Sequence, residues 1–331
     1  MKESDIRPQE LFRRYLELAE EDARTFFSDH ARFVAVPCPA CGEDDGRSAF
    51  EKHGFRYATC GGCGSLYLTP RPTADSLNKY YREGKAVQFW ASDFFRVTAE
   101  ARRERIFQPR AHFASDLAQR AGLAHGTFVD VGSGYGIFLE EIRRTEVFRD
   151  VVGIEPAPDL AEICRQKGFR VIEDVAENVD GSRLQAAMAT SFEVLEHLFD
   201  PLAFLQGLRG MLQPGGLLVA TTLTCTGWDI QVLWQHSKSV YPPHHVNLMS
   251  VEGFRRLVAR AELELVEIAT PGQLDVDIVK NALDENPKLP LSRFETHLIR
   301  DADERTREAF QRFLQENLLS SHVRLVCRRP E

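Results

Sequence analysis

The sequence predicts an α/β protein: a doubly wound, parallel-centred sheet preceded by a four-cysteine ribbon and a helical segment. Three observations predict it. The run Phe128-Val-Asp-Val-Gly-Ser-Gly-Tyr-Gly-Ile-Phe-Leu-Glu-Glu141 reads as a buried strand, a glycine-rich turn and the opening of a helix. Downstream, strand-like apolar runs alternate with helix-like ones, an order that implies parallel strands joined by crossovers. Toward the amino end, Cys38, Cys41, Cys60 and Cys63 stand in C-x2-C-x18-C-x2-C spacing, within the range of a structural zinc site.

Bulk properties set the frame. The chain has 331 residues, 43% hydrophobic and 27% charged, enough to bury a substantial core. A formal net charge of -8 argues against a generic nucleic-acid binder, because phosphate contacts need clustered Lys and Arg. Met1-Lys-Glu-Ser-Asp-Ile-Arg is too charged for a signal peptide, and no apolar run approaches a membrane span. A cytoplasmic protein is expected. Cys164, Cys225 and Cys327 lie in apolar stretches and read as buried thiols, so the odd total of 7 cysteines does not suggest a disulfide framework.

Residues 1–35 are expected to carry an amino-terminal helix over 8–30. Pro8 suits a first helical turn, and Leu11, Phe12, Tyr15, Leu16, Ala19, Ala23, Phe26 and Phe27 form one apolar stripe. Residues 36–70 are the ribbon. Two cysteine loops present paired thiolates to one tetrahedral ion, and Phe55-Arg-Tyr-Ala-Thr with Ser65-Leu-Tyr-Leu-Thr read as hairpin strands. Four thiolates close the coordination shell, so the expected zinc is structural. Residues 71–125 read as a helical cap or linker whose aromatic side chains pack in a core and whose Arg102, Arg103, Arg105 and Arg110 form a solvated charged face; the alternative is a cap over the cofactor cleft, with some of these arginines meeting substrate phosphates.

Residues 126–331 form the main domain. Its strands are predicted at 127–131, 151–155, 169–172, 186–191 and 216–222. A sixth lies within 261–269, and a seventh, expected antiparallel, at 322–328. An insertion at about 271–320 includes a helix near 303–318. Gly132, Gly134 and Gly136 give G-x-G-x-G, whereas a dinucleotide fingerprint needs its third glycine at the position of Ile137. Asp130 would repel a pyrophosphate but attract an ammonium group. Val151-Val-Gly-Ile-Glu155 is a second strand ending in an acid placed for ribose hydroxyls. These features favour S-adenosylmethionine over NAD, since it carries an ammonium, a sulfonium and a ribose but no phosphate.

Residues 126–270 resemble the class I S-adenosylmethionine-dependent methyltransferases. The resemblance rests on Val129-Asp-Val-Gly-Ser-Gly-Tyr-Gly136, Gly153-Ile-Glu155, Phe192-Glu-Val-Leu-Glu-His197 with Asp200-Pro201, and Leu212-Gln-Pro-Gly-Gly216. With the cysteine ribbon and Pro243-His-His-Val-Asn-Leu-Met-Ser250, the chain is similar to zinc-containing methyltransferases, among them C-methyltransferases of nucleotide-linked keto sugars. Leu274-Asp-Val-Asp-Ile-Val279 and Ser320-Ser-His322 resemble enzymes of surface-polysaccharide pathways. Where such enzymes open the fourth strand with Phe-Asp, this chain has Gln185-Ala-Ala-Met188.

The resemblance implies a seven-stranded Rossmann-like methyltransferase sheet and a cofactor site. That site comprises Asp130, Gly132, Gly134, Gly136, Glu155, Asp174, Val175, Ser191 and Phe192. Methyl transfer to a weakly acidic acceptor also needs a base, and His titrates near neutrality. His245 is the implied general base, with Tyr241 and His197 as neighbours that orient or polarise the substrate, and His244 is a further histidine at a loop position where a substrate could sit. The expected acceptor is a small polar molecule, a nucleotide-linked keto sugar. The alternatives are an RNA methyltransferase that reads nucleic acid through the ribbon, and a non-catalytic cofactor-binding protein. Glu43-Asp-Asp45 makes the ribbon itself acidic, which weighs against RNA.

Overall fold

A computed structural model describes residues 2–331. Its strands follow one another as β1 (Gly46–Lys52), β2 (Phe55–Cys60), β3 (Leu66–Leu68), β4 (Thr127–Val131), β5 (Asp150–Ile154), β6 (Arg170–Ile172), β7 (Ala186–Phe192), β8 (Leu212–Leu223), β9 (Asn247–Leu248), β10 (Glu264–Ala269) and β11 (His322–Arg328). The chain divides into two compact units. One comprises Met1–Arg96, Thr222–Phe254 and Ile268–Arg324, and the other Val97–Thr221, Arg255–Glu267 and Leu325–Glu331.

In the first unit, the helix Gln9–Phe26 buries Phe12, Ala19 and Ala23 of the predicted stripe, together with Leu18 outside it. Asp22 is also buried on that face, because its carboxylate accepts the Lys85 and Ala86 amides at 3.1 and 2.8 Å. It thereby caps the helix Lys85–Phe89 from a distance. The ribbon is a four-stranded sheet in the order β1-β2-β3-β9. The turn between β1 and β2 is His53-Gly54, both left-handed (φ 49° and 79°), the pairing that two-residue hairpins favour. Strand β1 escapes sequence detection because Gly46–Lys52 is mostly solvent-facing and lacks apolar alternation.

The same unit holds a helical cluster from the 271–320 segment. Asp275–Glu285, Arg293–Arg300 and Glu304–Glu316 pack Val276, Val279, Leu283, Ile299 and Leu314 against Leu233. Ser292 and Glu295 form a capping box on the second helix, and Asp303 caps the third through the Thr306 amide. Only the third is anticipated by the predicted helix at 303–318.

The second unit is organised on a mixed seven-stranded sheet in the order β10-β11-β8-β7-β4-β5-β6. Pairs β4–β5, β4–β7, β5–β6 and β7–β8 are parallel. One core contains Phe128, Phe138, Ile142, Phe148, Met188, Leu217 and Val219, with the alanines of helix Gln108–Arg120 packed on it. Each fully buried large apolar side chain contributes about 1.5–3 kcal/mol. This rigid layer fixes the strand ends. Among the described residues, no helix is long and apolar enough to cross a membrane.

Candidate functional site

Strand order reverses between β4 and β7, and in open α/β sheets ligands bind above the strand ends at such a reversal. The glycine turn follows β4 there. Gly132 and Ser133 donate their amides to the Ile154 carbonyl of β5, so the chain leaves the sheet beside Glu155. Gly136 caps the helix Ile137–Arg144 with φ 68°, and an added Cβ would stand 2.8 Å from the Cys164 sulfur. Only glycine satisfies both constraints. At Gly134 (φ 52°) an added Cβ would meet no atom within 4 Å. That face of the turn is open to a ligand.

Two acids flank the turn. Asp130 is 3% exposed and accepts the Thr190 hydroxyl at 2.7 Å. Burial pushes its carboxyl up to about 7, with a further push from the Glu155 charge. Glu155 accepts the Gly134 amide at 2.8 Å and the Ala157 amide at 3.0 Å. Burial raises its pKa as well, against those two hydrogen bonds. Asp174 turns to local work, capping the Val175 amide at 2.8 Å and holding Asn178 at 2.9 Å. Val175 is exposed beside it.

At the end of β7, the Ser191 hydroxyl is buried with no hydrogen-bond partner. Phe192 packs edge-on to Phe138, and the Arg110 guanidinium lies 4.6 Å over its ring. Glu193 adopts φ 55° and accepts both Arg110 (2.7 Å) and the Thr221 hydroxyl (2.8 Å). Sequence reasoning names Arg110 as a solvated or phosphate-meeting arginine and passes over its pairing with Glu193 and that of Thr221; the pairings span distant segments, so no local pattern signals them. His197 ends the turn Leu195–His197, its Nε2 4.0 Å from the buried Glu196 carboxylate.

The open face at Gly134, the buried acid at Asp130, the orphaned Ser191 hydroxyl and the paired-amide acid Glu155 fit S-adenosylmethionine. They offer charge to an ammonium and acceptors to hydroxyls, but Ile137 stands where a pyrophosphate-binding turn needs its third glycine.

The remaining predicted residues lie in the first unit. The His245 Nδ1 stands 2.5 Å from the Ser239 carbonyl. A carbonyl only accepts, so Nδ1 carries a proton. Its backbone carbonyl receives the Tyr57 hydroxyl at 2.7 Å. His244 is buried, stacked on Tyr15, with Tyr80 Oη 3.0 Å from its Nε2. Tyr241 is buried too and donates its hydroxyl to the Leu16 carbonyl at 2.9 Å. Lys52 donates to the Ser237 carbonyl at 2.7 Å, and burial pulls its ammonium down to about 8. These contacts hold the 237–245 loop from three sides. Tyr241 and His244 are therefore engaged in holding the loop, whereas the side chain of His245 stays half-exposed.

Cys38, Cys41, Cys60 and Cys63 bring their sulfurs within 4.8 Å of one another. Cys38 and Cys63 are 3.6 Å apart, and Cys41 and Cys60 3.4 Å. A tetrahedral ion with bonds of about 2.3 Å needs sulfur edges of about 3.8 Å, so the cluster fits zinc with little adjustment. Ser250 donates its hydroxyl to the Cys63 carbonyl and its amide to the Ser65 hydroxyl, which steadies the second cysteine pair.

Residues 99–268, just over half of the chain, match a protein family described as a methyltransferase domain. The ubiquinone biosynthesis O-methyltransferase of Cereibacter sphaeroides is 33% identical over 122 residues, covering 35% of this chain and 49% of that protein. Its counterpart from Xanthomonas campestris pv. campestris is 34% identical over 120 residues, covering 33% and 48%. The chain thus spans about half the length of the curated relatives it matches. A solved S-adenosylmethionine-dependent methyltransferase from Clostridium acetobutylicum is 7% identical with a TM-score of 0.47, covering 72% of this chain and 99% of that one.

Proposed function

This chain belongs to the methyltransferase domain family as a class I S-adenosylmethionine-dependent enzyme, and we propose that its acceptor is a small polar molecule, a nucleotide-linked keto sugar. The observation that carries the cofactor half is the pairing of an open G-x-G-x-G turn with Asp130 beneath it and Glu155 beside it.

Bound S-adenosylmethionine supplies an electrophilic methyl group on a sulfonium. In this reading Asp130 receives the methionine ammonium, and Glu155 exchanges its turn amide for the ribose hydroxyls. Val175 and Asp174 border the adenine, while Ser191 and Phe192 line the cleft floor. Alignment and exclusion of water supply much of the acceleration of such an in-line displacement.

His245 is the proposed general base. Its Nδ1–H is committed to the Ser239 carbonyl, which fixes the ring, and Nε2 is the atom proposed to take a proton from the acceptor carbon beside a carbonyl. The freed electron pair would form the new bond to the methyl carbon as the methyl–sulfur bond breaks, the electrons of that bond leaving with sulfur as a neutral thioether. His197 is proposed to orient the acceptor. Tyr241 and His244 act on the loop that carries His245. The four cysteines are proposed to hold a structural zinc, since four thiolates leave no open coordination position.

RNA is the less favoured acceptor. Asp45 of the acidic ribbon stretch is turned onto the Gly61 amide at 3.1 Å, so the second cysteine loop presents a carboxylate where phosphate contact would need a cation. The test is transfer of radiolabelled methyl groups with nucleotide-sugar extract and total RNA offered together. Label in the small, phosphatase-sensitive fraction supports the sugar reading. Label in a small phosphatase-resistant product would redirect it to another small acceptor, and label in RNA would overturn it.

A further inference from the structure

The back of the glycine turn is tied down by residues that the cofactor reading does not use. The Cys164 thiol donates to the Gly134 carbonyl at 3.2 Å. The Lys167 ammonium donates to the Tyr135 carbonyl at 2.8 Å. Cys164 lies in the helix Pro158–Gln166 and Lys167 caps its end, so two consecutive turn carbonyls are drawn toward one element. In a trans peptide the carbonyl and the following N–H point in opposite directions. Drawing the Gly134 carbonyl back therefore aims the Tyr135 amide the other way, while the Gly136 amide closes the turn on the Ser133 carbonyl at 2.9 Å.

Lys167 does not act alone. Its ammonium also meets Glu140 Oε2 at 3.2 Å, and that same oxygen accepts Arg103 at 2.8 Å. Arg103 additionally pairs with the buried Glu141. Burial opposes ionisation of Glu140, yet its hydrogen bonds to Arg103 and Lys167 hold the carboxyl below its ordinary range. Glu140 sits in the first turn of the helix that the glycine turn opens. Arg103 begins a π-helical turn, Arg103–Phe107, a local widening that proteins often place at functional sites. Lys167 is thus a half-buried cation with two fixed partners, one of them a carbonyl of the turn itself.

We propose that Lys167 is a positioning residue for the cofactor, holding the Tyr135 carbonyl away from the ligand so that the glycine turn is preset to receive the methionine end of S-adenosylmethionine. Glu140 orients the ammonium, and Arg103 in turn orients Glu140. The proposal rests on the cofactor reading above. None of the three side chains is proposed to touch the ligand, so the expected signature is in affinity rather than in the chemical step.

The experiment is calorimetric titration of the full chain with S-adenosylhomocysteine, for wild type, Lys167→Met and Lys167→Arg, alongside initial rates at varied S-adenosylmethionine. Loss of a hydrogen bond from a charged group predicts roughly tenfold weaker binding for Lys167→Met. KM for the cofactor should rise to match while kcat stays near wild type, and Lys167→Arg should recover most of the affinity. Wild-type affinity in Lys167→Met would overturn the proposal, as would an equal loss in Lys167→Arg with an unchanged melting temperature. Failure of the wild type itself to bind would instead overturn the cofactor reading.

Discussion

Thr190 donates its hydroxyl to Asp130 across the β4–β7 pair at 2.7 Å, joining the two strand ends where the sheet reverses order. Each residue is buried on a strand, and their partnership explains how a carboxyl is kept inside the core. Burial pushes Asp130 up to about 7, so near neutrality it is poised between its two forms. A ligand ammonium prefers the ionised form, and binding should release a proton. S-adenosylhomocysteine affinity is expected to rise roughly tenfold between pH 6 and pH 8. Calorimetry across that range should show the rise in the wild type and a flat, weaker profile in Asp130→Asn.

The candidate base gives a contrast between neighbours. His245→Ala should retain S-adenosylhomocysteine binding while kcat falls by roughly 10²–10⁴. His244→Ala should instead lower stability by roughly 2–4 kcal/mol, because its ring packs with Tyr15, Tyr80 and Tyr81. Single-turnover rates and denaturant midpoints on the two variants separate these outcomes. Near-normal turnover in His245→Ala would remove it from the mechanism.

A buried acid pair in the helical cluster makes a stability prediction. Asp275 accepts the Ser320 hydroxyl, the Ser321 amide and Gln311, at 2.5, 2.7 and 2.7 Å. Asp229 is 0% exposed, and both of its carboxyl oxygens lack a hydrogen-bond partner. Burial, then the charge of Asp275, push Asp229 well above its ordinary range. The folded chain therefore keeps a proton that the unfolded chain loses above about pH 3.9. Stability from this group is fully present below that pH and declines as pH rises toward the folded value. Asp229→Asn imitates the protonated acid, and should raise the melting temperature by roughly 2–4 °C at pH 8 but little at pH 4. A lower melting temperature at both pH values would contradict the assignment.

The cysteine cluster predicts one zinc per chain, measurable by elemental analysis after exhaustive dialysis. Cys60→Ser should reduce the bound metal and lower the melting temperature, and a strong chelator should reproduce that loss in the wild type. Since four sulfurs would fill the shell, added zinc should not stimulate turnover of a fully loaded enzyme.

Much of the second unit is legible in the sequence, because buried parallel strands read as apolar runs between helices. Strand β4 lies where 127–131 is predicted, β5 is displaced by one residue to Asp150–Ile154, and β8 extends the expected 216–222 back to Leu212. The glycine turn and Glu155 are local signals and are readable for the same reason. In the 271–320 segment, Val276, Val279 and Leu283 carry helical spacing that the polar and proline-containing flanks obscure. What stays hidden is contact between distant residues: Thr190 on Asp130, Thr221 and Arg110 on Glu193, and Lys167 on the Tyr135 carbonyl. Each depends on tertiary placement, which leaves no period or motif along the chain.

The most direct test is calorimetric titration of the wild type and Glu155→Ala with S-adenosylhomocysteine and, separately, with NAD. The account predicts saturable one-to-one binding of S-adenosylhomocysteine, at least roughly tenfold weaker in Glu155→Ala through loss of its hydrogen bonds to the ribose, and no heat from NAD. Binding of NAD in preference, or wild-type affinity for S-adenosylhomocysteine in Glu155→Ala, would contradict it.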